Sequence, residues 1–125
     1  GLRLGFAIGD PELIDALRQR LGPWPVSGVA LKIGAAALTD TTWADQTRAY
    51  LATDAERLDQ LMQRKNARPM GACPLFRTYE VADARQLHRH LAQRKIWTRV
   101  FPYSQTWIRL GLPPQDQWER LEAAL

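Results

Sequence analysis

The sequence has few of the residues from which disulfides and metal sites are built. Its 125 residues include one cysteine, Cys73, and two histidines, His88 and His90. A single cysteine excludes an internal disulfide framework. The histidines stand two positions apart, whereas a zinc-binding pair on a helix is spaced by four residues. We therefore predict neither a disulfide scaffold nor a metal site.

Long apolar runs and several catalytic motifs are also missing. No stretch approaches the roughly 18 apolar residues of a membrane helix, and no charged-then-apolar leader opens the chain. The sequence contains neither a Gly-x-x-x-x-Gly-Lys phosphate loop nor a Gly-x-Ser-x-Gly turn. We expect a cytoplasmic protein that has no membrane partner.

The charge is moderately basic, with 17 Lys and Arg against 13 Asp and Glu, and hence a net charge of +4. Basic residues such as Arg18, Arg20, Arg64 and Lys65 are scattered and interleaved with acids. A nucleic-acid interface would cluster them on one face. We interpret them as solvated helix surfaces and predict no nucleic-acid partner.

The first third of the chain combines one apolar strand pattern with two helix patterns. The stretch LGFAIG predicts a strand over residues 4–9. Asp10 is a good N-cap for a helix that Gly22 ends. Ser27 caps a second helix, which runs to about Leu38 and is apolar nearly all round. Such a helix is normally buried on several sides, so here it predicts an exposed apolar patch unless a partner covers it.

The remainder predicts one long helix followed by a β-β-α-β-β-α order. The long amphipathic helix covers residues 43–65, and a period of two begins after Asn66. Residues 68–73 and 75–81 are predicted as two strands, or as one strand broken at Pro74. The later elements are a helix capped by Asp83, strands 96–101 and 107–112, and a last helix that starts at Pro113-Pro114. The fold class is therefore α+β, with a small sheet and helices packed on one side.

Two arginines are the candidates for chemistry, and each has a structural alternative. Arg3 lies in an apolar stretch and either pairs with a carboxylate at a strand edge or clamps a phosphate bidentately. Arg109 shares a strand face with Trp107 and Gly111, where its charge needs a partner. That partner is either an internal acid or the carboxylate of a ligand. The local motifs offer no nucleophile, base or metal ligand.

Four stretches together carry a family resemblance: GLRLGF, PWPVSG, CPLFRTYEV and RVFPYSQTWIRLGLP. In this order they resemble the class I/II aminotransferase group of fold-type-I pyridoxal-phosphate enzymes, over essentially the whole chain. Within that group they resemble the histidinol-phosphate aminotransferase branch, and the nearest likeness implies decarboxylation of threonine phosphate in cobalamin biosynthesis. The resemblance implies that residues 1–38 are a C-terminal remnant of the cofactor-binding large domain. Residues 39–125 would then be the small domain with its long connecting helix.

The same resemblance implies roles for the two arginines and a place for the cofactor lysine. Arg3 matches the arginine that contacts the phosphate of pyridoxal phosphate, and Arg109 matches the one that binds the substrate α-carboxylate. The Schiff-base lysine of the family falls before the first residue, and Lys32, Lys65 and Lys95 do not match it. No catalytic residue is therefore predicted in this chain, and we expect the chain alone to be inactive.

The implied activity has two forms, and a third reading lies outside enzymology. The resemblance implies a homodimeric enzyme acting on a small amino-acid phosphate. It would either decarboxylate threonine phosphate to aminopropanol phosphate or transfer an amino group, for instance with histidinol phosphate. Both reactions would use the same two arginines. The third reading is a binding module without a cofactor.

Overall fold

The computed structural model describes residues 3–125. They fall into two compact units, one ending at Ala44 and one formed by Asp45–Leu125. The assignment of residues 1–38 and 39–125 to parts of two enzyme domains stays a prediction.

Two capped helices form most of the first unit and confirm the helix predictions there. Helix α1 is Pro11–Leu21, and the Asp10 side chain accepts a 2.9 Å hydrogen bond from the Glu12 amide. It ends at Gly22, whose φ of 75° favours glycine. Helix α2 is Gly28–Thr39.

The predicted strand over residues 4–9 is wrong. The chain is irregular from residue 4 to residue 8, because no strand in the described part of the chain offers these residues a hydrogen-bonded ladder. Leu4 instead lies over α2 at Gly34, where an added Cβ would clash with the leucine side chain.

Helix α3, Thr41–Gln63, is the long helix that the sequence predicts. Its 23 residues span about 35 Å at 1.5 Å per residue. It starts two residues before the predicted position because Asp40 accepts a 2.9 Å hydrogen bond from the Trp43 amide. The C-terminal half buries Leu58 and Met62.

The second unit holds a four-stranded antiparallel sheet of order β1-β2-β4-β3. Its strands are β1 Arg68–Cys73, β2 Phe76–Glu80, β3 Arg99–Val100 and β4 Trp107–Gly111. Helix α4, Ala84–Gln93, leads into β3, and a short 3-10 turn precedes helix α5, Trp118–Ala124.

Strand β3 is much shorter than the predicted strand over residues 96–101. The Ile96 amide donates back to the Leu91 carbonyl, and Lys95 has a φ of 61°, so these residues finish α4 instead of joining the sheet. Pro102 then ends β3, because proline has no amide hydrogen to continue a ladder.

The core of the second unit lies between one face of the sheet and the three helices. The strands contribute Tyr79, Ile108 and Leu110. The helices contribute Leu58, Met62, Leu91, Trp118 and Leu121, all buried. This arrangement confirms the α+β class. Among the described residues, no helix is both long and apolar enough to cross a membrane.

Candidate functional site

Arg109 lies on the face of the sheet that does not pack against the helices. Its neighbours in β4, Ile108 and Leu110, are buried in the core, and successive side chains of a strand point to opposite faces. The sequence predicts this alternation correctly. The Arg109 guanidinium carbon lies 4.5 Å from the centre of the Phe76 ring in β2.

No acid neutralises Arg109 among residues 3–125. The ion pairs found there join Arg18 to Asp15, Arg48 to Asp45, Arg57 to Glu122, Arg68 to Glu80 and Arg77 to Asp59. The internal salt bridge that the sequence left open for Arg109 is therefore not formed in this part of the chain. The face of Phe76 attracts the cation but leaves its hydrogen-bond donors available.

A second arginine, Arg99 of β3, stands directly opposite Arg109 in the antiparallel register. Its guanidinium carbon lies 5.8 Å from the Phe101 ring. Like charges placed opposite each other in a sheet are destabilising, so the pair gains from an anion between them. Two guanidiniums on one sheet face form the strongest candidate anion site of this unit.

Sequence reasoning missed the pairing of Arg99 because it treated 96–101 as a full strand without a register. The signal was the hairpin itself, since Arg99 and Arg109 lie at equal distances from Ser104. The Ser104 hydroxyl accepts from the Thr106 and Trp107 amides at 3.2 and 3.1 Å. This serine turn fixes the hairpin and hence the pairing.

The two arginines open onto a depression of about 510 Å³ at the edge of the sheet. Its other walls include His88 of α4 and the exposed Trp97. The His88 Nδ1 atom lies 2.8 Å from the hydroxyl of Thr98, which is buried. The His88 ring meets Trp97 edge-on at 4.9 Å. These contacts hold the Trp97 side chain beside the two arginines.

Arg3, the predicted cofactor-phosphate ligand, belongs to the first unit. Its side chain is exposed, and it pairs with no acid among residues 3–125. Its φ of 60° is unusual for a residue with a side chain, and the adjacent Leu4 lies against Gly34. A guanidinium that is not committed to an acid fits a phosphate. That Arg3 and Arg109 serve one cleft stays a prediction.

Candidate metal ligands do not gather in the part of the chain that the structure describes. Residues 3–125 bring no three His, Cys, Asp or Glu side chains close enough to hold an ion. His88 and His90 have other partners, since His90 Nε2 lies 2.9 Å from the Ala124 carbonyl. Both histidines therefore have structural contacts.

Two kinds of enzyme are among the known proteins that resemble this chain. It is 40% identical over 126 residues to a threonine-phosphate decarboxylase of Pseudomonas aeruginosa, covering 100% of this chain and 38% of the relative. A threonine-phosphate decarboxylase of Sinorhizobium is 35% identical over 96% of this chain and 35% of its own length. A histidinol-phosphate aminotransferase of Aromatoleum aromaticum is 31% identical over 100% of this chain and 37% of its own length.

These relatives are much longer than the chain, which spans 38% of the first one. The family described as aminotransferase class I and II matches residues 1–125. The match therefore includes both arginine-bearing regions that the sequence singled out. The chain belongs to the class I and II aminotransferase family.

Proposed function

We propose that these residues are the C-terminal part of a pyridoxal-phosphate-dependent enzyme that decarboxylates threonine phosphate in cobalamin biosynthesis. The products would be aminopropanol phosphate and CO₂. The observation that carries the proposal is the facing pair Arg99 and Arg109, with no acidic partner among residues 3–125. The 40% identity to a threonine-phosphate decarboxylase supports this choice of reaction.

The arginine pair suits a substrate that has two anionic groups. A guanidinium offers two parallel donors to a carboxylate or a phosphate. Arg109 would bind the α-carboxylate of threonine phosphate, and Arg99 would bind its phosphate. Phe76 stacks on the Arg109 guanidinium and so limits the directions from which the carboxylate can approach. Binding both ends would fix the orientation of the bond from Cα to the carboxylate.

Arg3 is the residue of this chain that would hold the cofactor phosphate. When bound, pyridoxal phosphate supplies an electron sink for the bond that breaks at Cα. By holding the carboxylate, Arg109 would select which of the bonds at Cα is aligned for cleavage.

We also expect the whole enzyme to be a cytoplasmic homodimer.

The lysine that anchors the cofactor in this family has no match at Lys32, Lys65 or Lys95. We therefore expect the 125-residue chain alone to gain no new visible absorption band with pyridoxal phosphate. A band that depended on one of these lysines would contradict this expectation.

Amino transfer is the second candidate, and the likeness to a histidinol-phosphate aminotransferase, 31% identical, favours it. It would use the same pair of arginines to hold a phosphorylated amino compound. The products distinguish the two reactions, because decarboxylation releases CO₂ and transfer to 2-oxoglutarate gives glutamate. A binding module would give neither product.

The test is an assay of the longer polypeptide that contains these residues, loaded with pyridoxal phosphate and given threonine phosphate. We expect CO₂ release in preference to glutamate formation. Arg109→Ala should lower kcat/KM by at least about 100-fold, because removing one member of a charge-assisted pair costs roughly 3 kcal/mol. The matched control is Arg64→Ala, which removes an exposed arginine outside the site. Glutamate formation without CO₂ would overturn the proposal in favour of amino transfer.

A further inference from the structure

The net positive charge of this protein comes from one segment that lacks acidic residues. Residues 84–115 contain six Lys and Arg and not one Asp or Glu. The whole chain has 17 basic and 13 acidic residues, so its net charge of +4 arises in this segment. The segment forms α4, β3 and β4, which are the elements around the arginine pair.

Two of these six residues, Arg85 and Arg89, lie on one side of α4 and are exposed. They line a depression of about 360 Å³ together with His88, Val100 and Phe101. Neither arginine pairs with an acid among residues 3–125. The nearest acid in sequence, Asp83, uses its carboxylate to accept a 2.8 Å hydrogen bond from the Gln86 amide at the start of α4.

This outer depression adjoins the inner depression that holds Arg99 and Arg109. His88 and Val100 line both of them. Together the two depressions are lined by four arginines, Arg85, Arg89, Arg99 and Arg109, and by not one Asp or Glu. A surface lined by one sign of charge raises the local concentration of the opposite ion and its rate of association.

We propose that Arg85 and Arg89 form an outer anion-holding surface that captures the phosphorylated substrate and delivers it to Arg99 and Arg109. The ligand class is a small phosphate dianion that also bears a carboxylate. This proposal rests on the proposed function for the identity of the substrate. These two arginines act in association, because they hold the ligand before it reaches Arg99 and Arg109, which orient it.

The first experiment measures binding to the 125-residue chain by amide NMR, with O-phosphothreonine as the probe and threonine as the unphosphorylated control. The variant is Arg85→Gln/Arg89→Gln. The matched control, Arg20→Gln/Arg64→Gln, removes the same charge from exposed positions elsewhere. We expect O-phosphothreonine to shift the amides of α4 and β3. We also expect its affinity for the Arg85/Arg89 variant to fall about fivefold at low salt and the difference to disappear near 0.5 M salt. Equal affinities of variant and control would overturn the proposal.

The second experiment measures the rate in the longer polypeptide as ionic strength is varied. The Arg85/Arg89 variant should lose about fivefold in kcat/KM at low salt, because slower capture affects association. KM should rise, and kcat should stay unchanged. An equal loss at every salt concentration would contradict capture. An inactive wild type with intact phosphate binding in the NMR experiment would refute the proposed reaction and leave the anion-holding surface standing.

Discussion

At the scale of single residues, Asp59 links helix α3 to the sheet through two partners. Its carboxylate accepts a 2.7 Å hydrogen bond from the Tyr79 hydroxyl and a 2.8 Å hydrogen bond from Arg77. Tyr79 is fully buried, and the Arg77 Nε atom is buried without a partner in the described structure. The three residues therefore form a network centred on Asp59, whose loss would leave both partners unpaired.

The first prediction is that Asp59→Ala destabilises the second unit strongly. The loss should be about 3 kcal/mol in the free energy of unfolding, because it leaves a buried hydroxyl and a mostly buried guanidinium unpaired. Tyr79→Phe should cost only about 1 kcal/mol, since Asp59 keeps its arginine. Urea denaturation followed by circular dichroism measures both.

Helix α3 itself provides the control for that comparison. Asp45 pairs with Arg48 on the same helix, but their side chains are 75% and 73% exposed, against 23% and 16% for Asp59 and Arg77. Asp45→Ala should therefore change the stability by less than about 0.5 kcal/mol. A similar loss for both aspartates would show that burial of the network contributes nothing.

The second prediction concerns alkaline pH and follows from the same tyrosine. Burial, together with the hydrogen bond to Asp59, raises the pKa of the Tyr79 hydroxyl above its ordinary value of 10.0. The folded state therefore keeps this proton at a pH where the unfolded chain has lost it. The stabilisation is complete below pH 10 or so and is lost as the pH rises above that value.

The measurement is the urea midpoint of unfolding from pH 8 to pH 11. The wild type should lose stability above about pH 10, and Tyr79→Phe should lose less over the same interval because its aromatic ring cannot ionise. Parallel curves for the two proteins would assign the alkaline loss to other groups.

At the scale of elements, the sequence predicts the helices and caps that depend on neighbouring residues. It fails for strands whose hydrogen-bonding partner lies far away in the chain. The N-caps Asp10, Ser27 and Asp83 all act as the sequence indicates. Strand β1 has the predicted bounds. The strand at residues 4–9 and the full length of β3 were wrong, because hydrogen bonding of a strand depends on neighbours far away in sequence.

The candidate site follows the same division. The face on which Arg109 lies could be predicted from alternation along β4. There Arg109 forms no ion pair with an acid of the described chain. The pairing with Arg99 could not be predicted from alternation, because it depends on which strand adjoins β4 and in which register. The contact of Arg109 with Phe76 likewise depends on β2 being the other neighbour.

The third prediction belongs to helix α2, which exposes an apolar surface. Val29, Leu31, Ile33 and Leu38 are 63%, 55%, 48% and 66% exposed. An apolar patch of this kind favours association or dye binding. We expect the 125-residue chain to bind a hydrophobic dye, and Leu31→Gln/Leu38→Gln to lower the dye fluorescence at least about twofold.

The control for the patch is Leu75→Gln, which removes a leucine that is 62% exposed in the turn between β1 and β2. It should change dye binding little, because it does not lie on α2. Light scattering of the same samples reports association. A monomer that binds no dye would show that the exposed surface of α2 does not promote association in solution.

At the scale of the whole molecule, burial differs sharply between the two compact units. In the described part of the first unit the buried residues are the small Ala30 and Gly34. The second unit buries Leu58, Met62, Tyr79 and Trp118, among others. Each large apolar side chain that is fully buried contributes about 2 kcal/mol. Helices as short as α1 and α2 are marginal without packing.

The last prediction is that the two units open separately. In hydrogen exchange read by mass spectrometry, amides of α1 and α2 should exchange at least about 100-fold faster than those of β2 and β4, since opening free energies follow local burial. Leu58→Ala should cost about 3 kcal/mol and speed exchange in β2 and β4 while α1 and α2 keep their rates. If the variant raised exchange equally in all four elements, the chain would unfold as one cooperative body. In that case, the low burial of the first unit would not explain its stability.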